Sequence, residues 1–319
     1  MNAGLYNITG HKKVRCIEIS QRKTHMSIQK LRFDRSAVKQ RVFIVGCSRS
    51  GTTLLQTLLA SHEEATTFPE TQFFPTMMRG RLPYPRVLTR LGLATGKEID
   101  YLKRMLKRFG REELIPLIPR QPWMVKDSIE IYISLLDFIA ANMKKKIWIE
   151  KTPLNILWIE MIEGYVPSPI VIHMIRDGRD VVASIIDRCR ENPEVFEGQD
   201  VEYATRLWNQ CMRKTKGHIF KENHFLVEYS DLTQNTIEVV NRVGSAIGLN
   251  YEQIDIQNRH KVIESAVLDS ESWKSNVSRS VEKKSKFSSV FSDRERVKIE
   301  KGLDMSIYED LSSKSVEQW

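Results

Sequence analysis

The chain has little cysteine. Cys16, Cys47, Cys189 and Cys211 are scattered through 319 residues and form no Cys-x-x-Cys pair. That spacing offers neither a disulfide framework nor a zinc site, and a reducing compartment is the simplest expectation. Apolar runs are short as well. None approaches the roughly 18 residues of a membrane-spanning helix, so no transmembrane segment is expected. The first residues include His11, Lys12, Lys13, Arg15, Arg22 and Lys23 and lack the apolar centre of a signal peptide. A cytoplasmic location is expected. Zinc-finger spacing, aromatic-interleaved basic stripes and RNA-binding signatures are missing, which argues against nucleic acid as a partner. Internal repeats and low-complexity tracts are missing too.

What is present is an ordinary globular composition with a basic balance. Hydrophobic residues make up 41% and charged residues 28%, and the formal net charge is +9 with a pI near 9.3. This much apolar material suffices for one large domain or two small ones. The positive balance fits an anionic partner such as a phosphorylated small molecule. Residues 1–39 carry no clean periodicity and are expected to form a weakly ordered arm, with a single domain over 40–319.

From Arg41 onward, short apolar runs alternate with helical patterns. Val42–Val45, Ile147–Ile149, Pro169–Ile175 and Phe225–Tyr229 read as strands. The third run is almost continuously apolar, the mark of a strand covered on both faces. Helices are expected after Thr52, over 97–109, over 125–143, over Pro153–Gly164, from Val181, over 200–220 and over Thr236–Ile247. Beyond Asn250 the chain reads as polar, with patches of helix. The alternation implies an α/β fold on a parallel sheet flanked by helices, with a helical C-terminal part. Ligands then bind at the strand ends that carry polar turns.

Four motifs sit at such ends. The first is Gly46-Cys47-Ser48-Arg49-Ser50-Gly51-Thr52-Thr53, with the glycine spacing of a phosphate-binding loop. Backbone N–H groups of such a loop and of the helix after it form an anion cradle. The ATP and GTP version requires lysine where Thr52 stands, and here the cation sits inside the loop at Arg49. A phosphosulfate carries less charge than a triphosphate, so one arginine, hydroxyls and amides suffice without metal. The second motif is Pro69-Glu70-Thr71, where a lone glutamate reads as a solvated loop residue. The third is Glu150-Lys151-Thr152-Pro153, and the fourth is Arg176-Asp177-Gly178-Arg179-Asp180-Val181-Val182-Ala183-Ser184. Taken alone, the last is a helix start laced with Arg–Asp pairs.

Together these motifs resemble the PAPS-dependent sulfotransferases, nearest the branch of bacterial and tyrosylprotein enzymes, whose R-S-G-T-T-L core matches Arg49–Leu54. PAPS is 3′-phosphoadenosine 5′-phosphosulfate, and PAP is the product left when its sulfuryl group is transferred. The resemblance implies a P-loop-type fold and a donor site made of Ser48, Arg49, Ser50, Gly51, Thr52 and Thr53 at the 5′ end. Arg176 and Ser184 would hold the 3′-phosphate, since the planar donors of arginine suit phosphate. It makes Glu70 the general base and puts Lys151 beside the leaving phosphate, with Arg49 completing the catalytic set. No metal is expected.

Glu228-Tyr229-Ser230-Asp231-Leu232 resembles a strand-end motif of the family. Tyr229 and Trp273 read first as packing residues, and Tyr229 is also counted in the donor site. His62 occupies the Ser-His pair that ends the first helix in this branch, so it reads as structural. The implied activity is sulfuryl transfer to a hydroxyl of a glycan, lipid or small molecule. Gln72 stands where tyrosylprotein enzymes have an acceptor-contacting arginine, which argues against peptide tyrosine. The competing readings are a P-loop kinase with a modified loop and a nucleotide-binding module without catalysis. Thr52 weighs against the first, and the presence of both Glu70 and Lys151 against the second.

Overall fold

The computed structural model describes residues 37–78, 96–119, 124–194, 198–251 and 286–317, with residues 94, 122 and 262 singly. Most of the expected N-terminal arm and Trp273 lie outside these residues. The chain divides into two compact units, residues 1–35 with 76–141 and residues 36–75 with 142–319.

The second unit is built on five parallel strands: β1 (Gln40–Gly46), β2 (Ala65–Thr67), β3 (Ile147–Lys151), β4 (Pro169–Ile175) and β5 (His224–Glu228). Their order is β2-β3-β1-β4-β5, which confirms the expected α/β class. Four of these strands were expected. The fifth, β2, has three residues, too few to show a period of two, and it is held at the edge by tertiary bonds. Thr67 Oγ1 donates to the Ile149 carbonyl at 2.7 Å. The last strand ends at Glu228 rather than Tyr229, because Tyr229 begins a helix.

The intervening helices of this unit are α1 (Thr52–Leu59), α5 (Ile159–Tyr165), α6 (Gly178–Glu191), α7 (Val201–His218), α8 (Tyr229–Gln234) and α9 (Thr236–Ala246), and α2 (Phe73–Met78) runs across the division at Thr76. Three more, α10 (Phe287–Val290), α11 (Asp293–Gly302) and α12 (Met305–Glu317), supply the helical C-terminal part. The expected helix over Pro153–Gly164 is two pieces, a 3₁₀ turn Pro153–Trp158 followed by α5. The first unit holds α3 (Lys97–Arg108) and α4 (Val125–Asn142), whose apolar stripes bury Leu102, Met105, Leu106, Ile129, Tyr132 and Leu136. None of the described helices is long and apolar enough to cross a membrane.

Alternation along the strands feeds two cores. Val42, Ile44, Ile149, Ile170 and Ile172 pack with Leu55, Leu58 and Leu59 of α1 and Val239, Val240 and Val243 of α9. Phe43 turns the other way and meets Phe74 and Trp148 edge-on at 6.5 and 5.3 Å. The chain leaves β1 toward β2 and β3 on one side and later places β4 and β5 on the other. The ends of β1 and β4 therefore form a topological switch point, where open α/β sheets bind ligands.

Away from that end, buried His173 of β4 contacts His224 Nδ1 through Nε2 at 3.0 Å and Thr215 Oγ1 through Nδ1 at 3.3 Å. Glu163 of α5 lies 2.7 Å from His218 Nδ1 and 3.3 Å from His224 Nε2, and Lys221 also pairs with it. Burial presses His173 well below the ordinary histidine value, and His224 from 6.5 to about 4. These rings fold neutral. As pH falls below about 6.5 the unfolded chain takes up protons that the native state refuses, so their contribution is full above that pH and is lost toward 4. The urea midpoint is expected to drop between pH 7 and pH 5, by an equivalent of about 2 kcal/mol from His224 alone. A midpoint unchanged over that range would remove the histidines as a pH-sensitive element.

Candidate active site

The loop between β1 and α1 is turned by two residues of positive φ, Arg49 at 72° and Gly51 at 90°. At Gly51 only glycine fits, because a Cβ would lie 2.3 Å from the Tyr229 ring. The loop closes with a Ser50 N–H to Cys47 carbonyl bond of 3.2 Å, and Thr52 opens α1 with no acidic residue in its first turn. Ser50 is fully buried, and its hydroxyl has no hydrogen-bond partner among the described residues. Thr52 is buried, whereas Ser48 and Thr53 are half-buried.

Three elements converge on this loop. Arg49 Nε donates to Ser184 Oγ of α6 at 3.1 Å, joining residues 135 positions apart. Arg176, just past β4, donates to the Arg49 carbonyl at 3.2 Å, and its guanidinium lies 4.3 Å from the centre of the Tyr229 ring. Asp180 Oδ2 stands 3.5 Å from Arg176. Trp208 of α7 fixes the backbone beneath by donating Nε1–H to the Arg176 carbonyl at 3.0 Å. The Arg–Asp reading of the helix start also holds, since Asp177 caps α6 by accepting from Arg179 N and pairs with the Arg179 side chain. Burial, then the charges of Arg188 and Arg176, push the Arg49 guanidinium below its usual value. Crowded guanidinium groups beside an unsatisfied buried hydroxyl and a helix N-terminus fit an anionic phosphate or sulfate group.

The second cluster lies at the end of β3, the strand beside β1. Lys151, 1% exposed, donates Nζ–H to Glu70 Oε1 at 2.5 Å, and Glu70 is 14% exposed. Gln72, held at φ 52°, donates its amide to Glu70 Oε2 at 2.7 Å. The loop carrying Glu70 is anchored to α1 through buried Gln56, which donates to Thr67 Oγ1 at 2.7 Å and to the Phe68 carbonyl at 3.0 Å. His62 is engaged elsewhere: Nδ1 accepts from Glu64 N at 3.1 Å and Nε2 lies 3.2 Å from the Asn250 carbonyl. Only the neutral ring protonated at Nε2 satisfies both contacts.

A family model described as Sulfotransferase family matches residues 41–253. The chain belongs to the sulfotransferase family. This sulfotransferase is 24% identical over 233 residues to a Caenorhabditis briggsae protein named "Putative protein-tyrosine sulfotransferase", covering 72% of each chain. Among solved structures it resembles the sulfotransferase domain from the curacin biosynthetic pathway, at 19% identity and a TM-score of 0.50. That match covers 69% of this chain and 78% of that one. The sulfotransferase domain of the Synechococcus PCC 7002 olefin synthase matches at 16% identity and a TM-score of 0.46, covering 81% and 82%.

The sulfotransferase therefore has two groups of chemistry-bearing residues at the carboxyl ends of adjacent strands. One gathers Arg49, Ser50, Gly51, Arg176, Ser184 and Tyr229, and the other pairs Glu70 with Lys151. Ser48, Thr52 and Thr53 are placed by the loop and helix start rather than by side-chain bonds to these groups. Sequence reasoning passed over the residues that hold both groups: Glu150, Thr71, Thr152, Asn155 and Trp208. The only signal was Glu150-Lys151-Thr152 itself, an acid between an apolar strand and a hydroxyl.

Proposed function

We propose that this sulfotransferase uses PAPS as donor and transfers its sulfuryl group to a hydroxyl of a glycan, lipid or small-molecule acceptor, releasing PAP. The observation that carries the reading is the convergence of Arg49, Arg176 and Ser184 on a glycine-turned loop whose buried Ser50 hydroxyl lacks a partner among the described residues. PAPS, when bound, supplies a sulfuryl group activated as an anhydride with its 5′-phosphate. Ser48, Arg49, Ser50, Gly51, Thr52 and Thr53 hold the 5′ side, and Arg176, Ser184 and Tyr229 the 3′-phosphate end. Glu70 takes the proton from the acceptor hydroxyl as that oxygen bonds to sulfur. Lys151 offsets the charge gathered on the phosphate oxygen as its bond to sulfur breaks.

Gln72 is a neutral amide, so it offers no cation to an acceptor, and it donates to Glu70. That supports an acceptor other than peptide tyrosine. The name of the worm relative keeps a tyrosine peptide in the acceptor screen, where its turnover in preference to glycan, lipid and small-molecule hydroxyls would overturn this part of the proposal.

Donor identity is tested by thermal shift with PAP and ATP, with and without Mg²⁺. A ligand that binds the native state raises its stability by mass action. PAP is expected to stabilise the chain without metal, and ATP far less. Arg176→Ala is expected to weaken PAP about ten- to hundredfold, the equivalent of losing a charged hydrogen bond. A nucleotide lacking the 3′-phosphate is expected to lose little. Equal losses for both nucleotides would remove Arg176 from the 3′ end.

A further inference from the structure

The carboxylate of Glu150 is completely buried at the end of β3, yet four donors surround it. Oε1 accepts from Thr71 Oγ1 at 2.8 Å, from Thr71 N at 3.4 Å and from Thr152 Oγ1 at 2.6 Å. Oε2 accepts from Asn155 Nδ2 at 2.7 Å. Hydrogen directions follow from the next shell of contacts. Thr152 Oγ1 accepts from Gln72 N at 3.1 Å and Thr71 Oγ1 from Phe73 N at 3.4 Å, so both hydroxyl hydrogens point at Glu150. Burial pushes the Glu150 carboxyl above its ordinary value, and the donors oppose it: four donors and no obligatory acceptor suit the ionised form.

Successive strand residues face opposite ways, so Glu150 does not pair with its neighbour Lys151. Instead each grips the 70–72 loop. Lys151 holds the side chain of Glu70, and Glu150 holds the backbone and hydroxyl of Thr71 and, through Thr152, the backbone of Gln72. Gln72 in turn holds Glu70 Oε2. One carboxylate therefore closes a ring of bonds around the Glu70–Lys151 pair.

We infer that Glu150 is the positioning residue for proton abstraction: it fixes the loop that aims Glu70 at the acceptor, and its negative charge makes Glu70 a stronger base. This rests on the proposed role of Glu70. The two carboxylates repel each other, and among the causes that push Glu150 upward are burial, first, and the Glu70 charge. The repulsion is mutual, so Glu150 opposes the effect of Lys151 on Glu70. A buried charge facing a working carboxylate, satisfied by hydroxyls and an amide rather than by a cation, raises proton affinity where a salt bridge would not.

Glu150→Gln tests the charge with little change of shape. The new carbonyl takes the place of Oε1, and the new amide faces Asn155. Turning the Asn155 side chain over presents Oδ1, a buried atom with no hydrogen-bond partner among the described residues. The expected result is PAP affinity within about twofold of the parent and turnover about tenfold lower. Removing the neighbouring negative charge favours ionised Glu70, so the acid limb of the rate profile is expected to move about 0.5–1 pH unit lower. The ¹³C carboxyl signal of Glu70, assigned by its loss in Glu70→Gln, is expected to shift its midpoint the same way, a readout independent of the donor and acceptor.

An unchanged rate profile together with an unchanged Glu70 midpoint would overturn the inference. No turnover by the parent with any hydroxyl acceptor, alongside a shifted Glu70 midpoint, would instead strike the proposed reaction and leave the coupling standing. If Glu150→Gln fails to fold, Thr71→Val carries the test of positioning. It is expected to slow turnover about 10- to 100-fold with PAP affinity kept, and Thr71→Ser to restore it. Parent-like turnover in Thr71→Val would refute the positioning role.

Discussion

Glu70→Gln is expected to cut turnover by about 10²–10⁴-fold while leaving PAP affinity nearly intact. Glutamine keeps the length of the side chain and can still accept from Lys151, but it cannot take a proton at neutral pH. Both Glu70 oxygens accept hydrogen bonds, from Lys151 Nζ and Gln72 Nε2, which describes a carboxylate in the basic form. Its partial exposure leaves an approach for an acceptor, in contrast to Glu150, which is sealed. His62 offers no substitute base, because both ring nitrogens are engaged. The measurement is a single-turnover rate at saturating donor, with PAP affinity by calorimetry as the control. A rate within threefold or so of the parent would sink the assignment. A matching loss of PAP affinity would mean that Glu70 serves the donor site rather than the proton.

Much of the site could be read from the chain because its key groups sit in local patterns. The strand–glycine–hydroxyl–helix order of Val42–Leu59 and the strand-to-helix turn at Arg176–Ser184 are each encoded within twenty residues or so. The bonds that unite them are not local. Arg49 meets Ser184 only because β1 and β4 are neighbours in the sheet, although β2 and β3 come between them in sequence. Glu150 reads as one more polar residue after an apolar run, and its partner Thr71 lies 79 positions earlier. The strand β2 was illegible for a related reason, since three residues carry no period and Gln56, Thr67 and Ile149 hold it in place. Tyr229 was read both as packing and as part of the donor site. Its ring covers Gly51 and lies against the Arg176 guanidinium, which is packing on the loop, and its part in the donor site belongs to the proposal.

Lys151→Met is the counterpart test, because it removes charge at the other end of the reaction. The side chain is almost wholly buried, so methionine preserves packing where alanine would leave a cavity. Losing a fixed cation beside a developing oxyanion typically costs about 10²–10³-fold in turnover. A second consequence follows from the 2.5 Å bond to Glu70. Lys151→Met removes that cation, and a partly buried carboxylate that loses a cation is destabilising. A fall in melting temperature is expected with Lys151→Met, and also with Glu70→Gln, which leaves the buried Lys151 ammonium against a neutral amide. The two effects separate with the donor. A phosphosulfate analogue whose leaving phosphate oxygen is less basic needs less help in departing, so it is expected to recover much of the Lys151→Met rate. The same analogue is expected to leave Glu70→Gln slow, since the acceptor proton still has nowhere to go. Because the two residues share one bond, the double variant is expected to lose less than the product of the single losses. Equal rescue of both variants by the analogue would mean that Lys151 acts through Glu70 alone, and the leaving phosphate would then have to be stabilised by Arg49 and the loop amides.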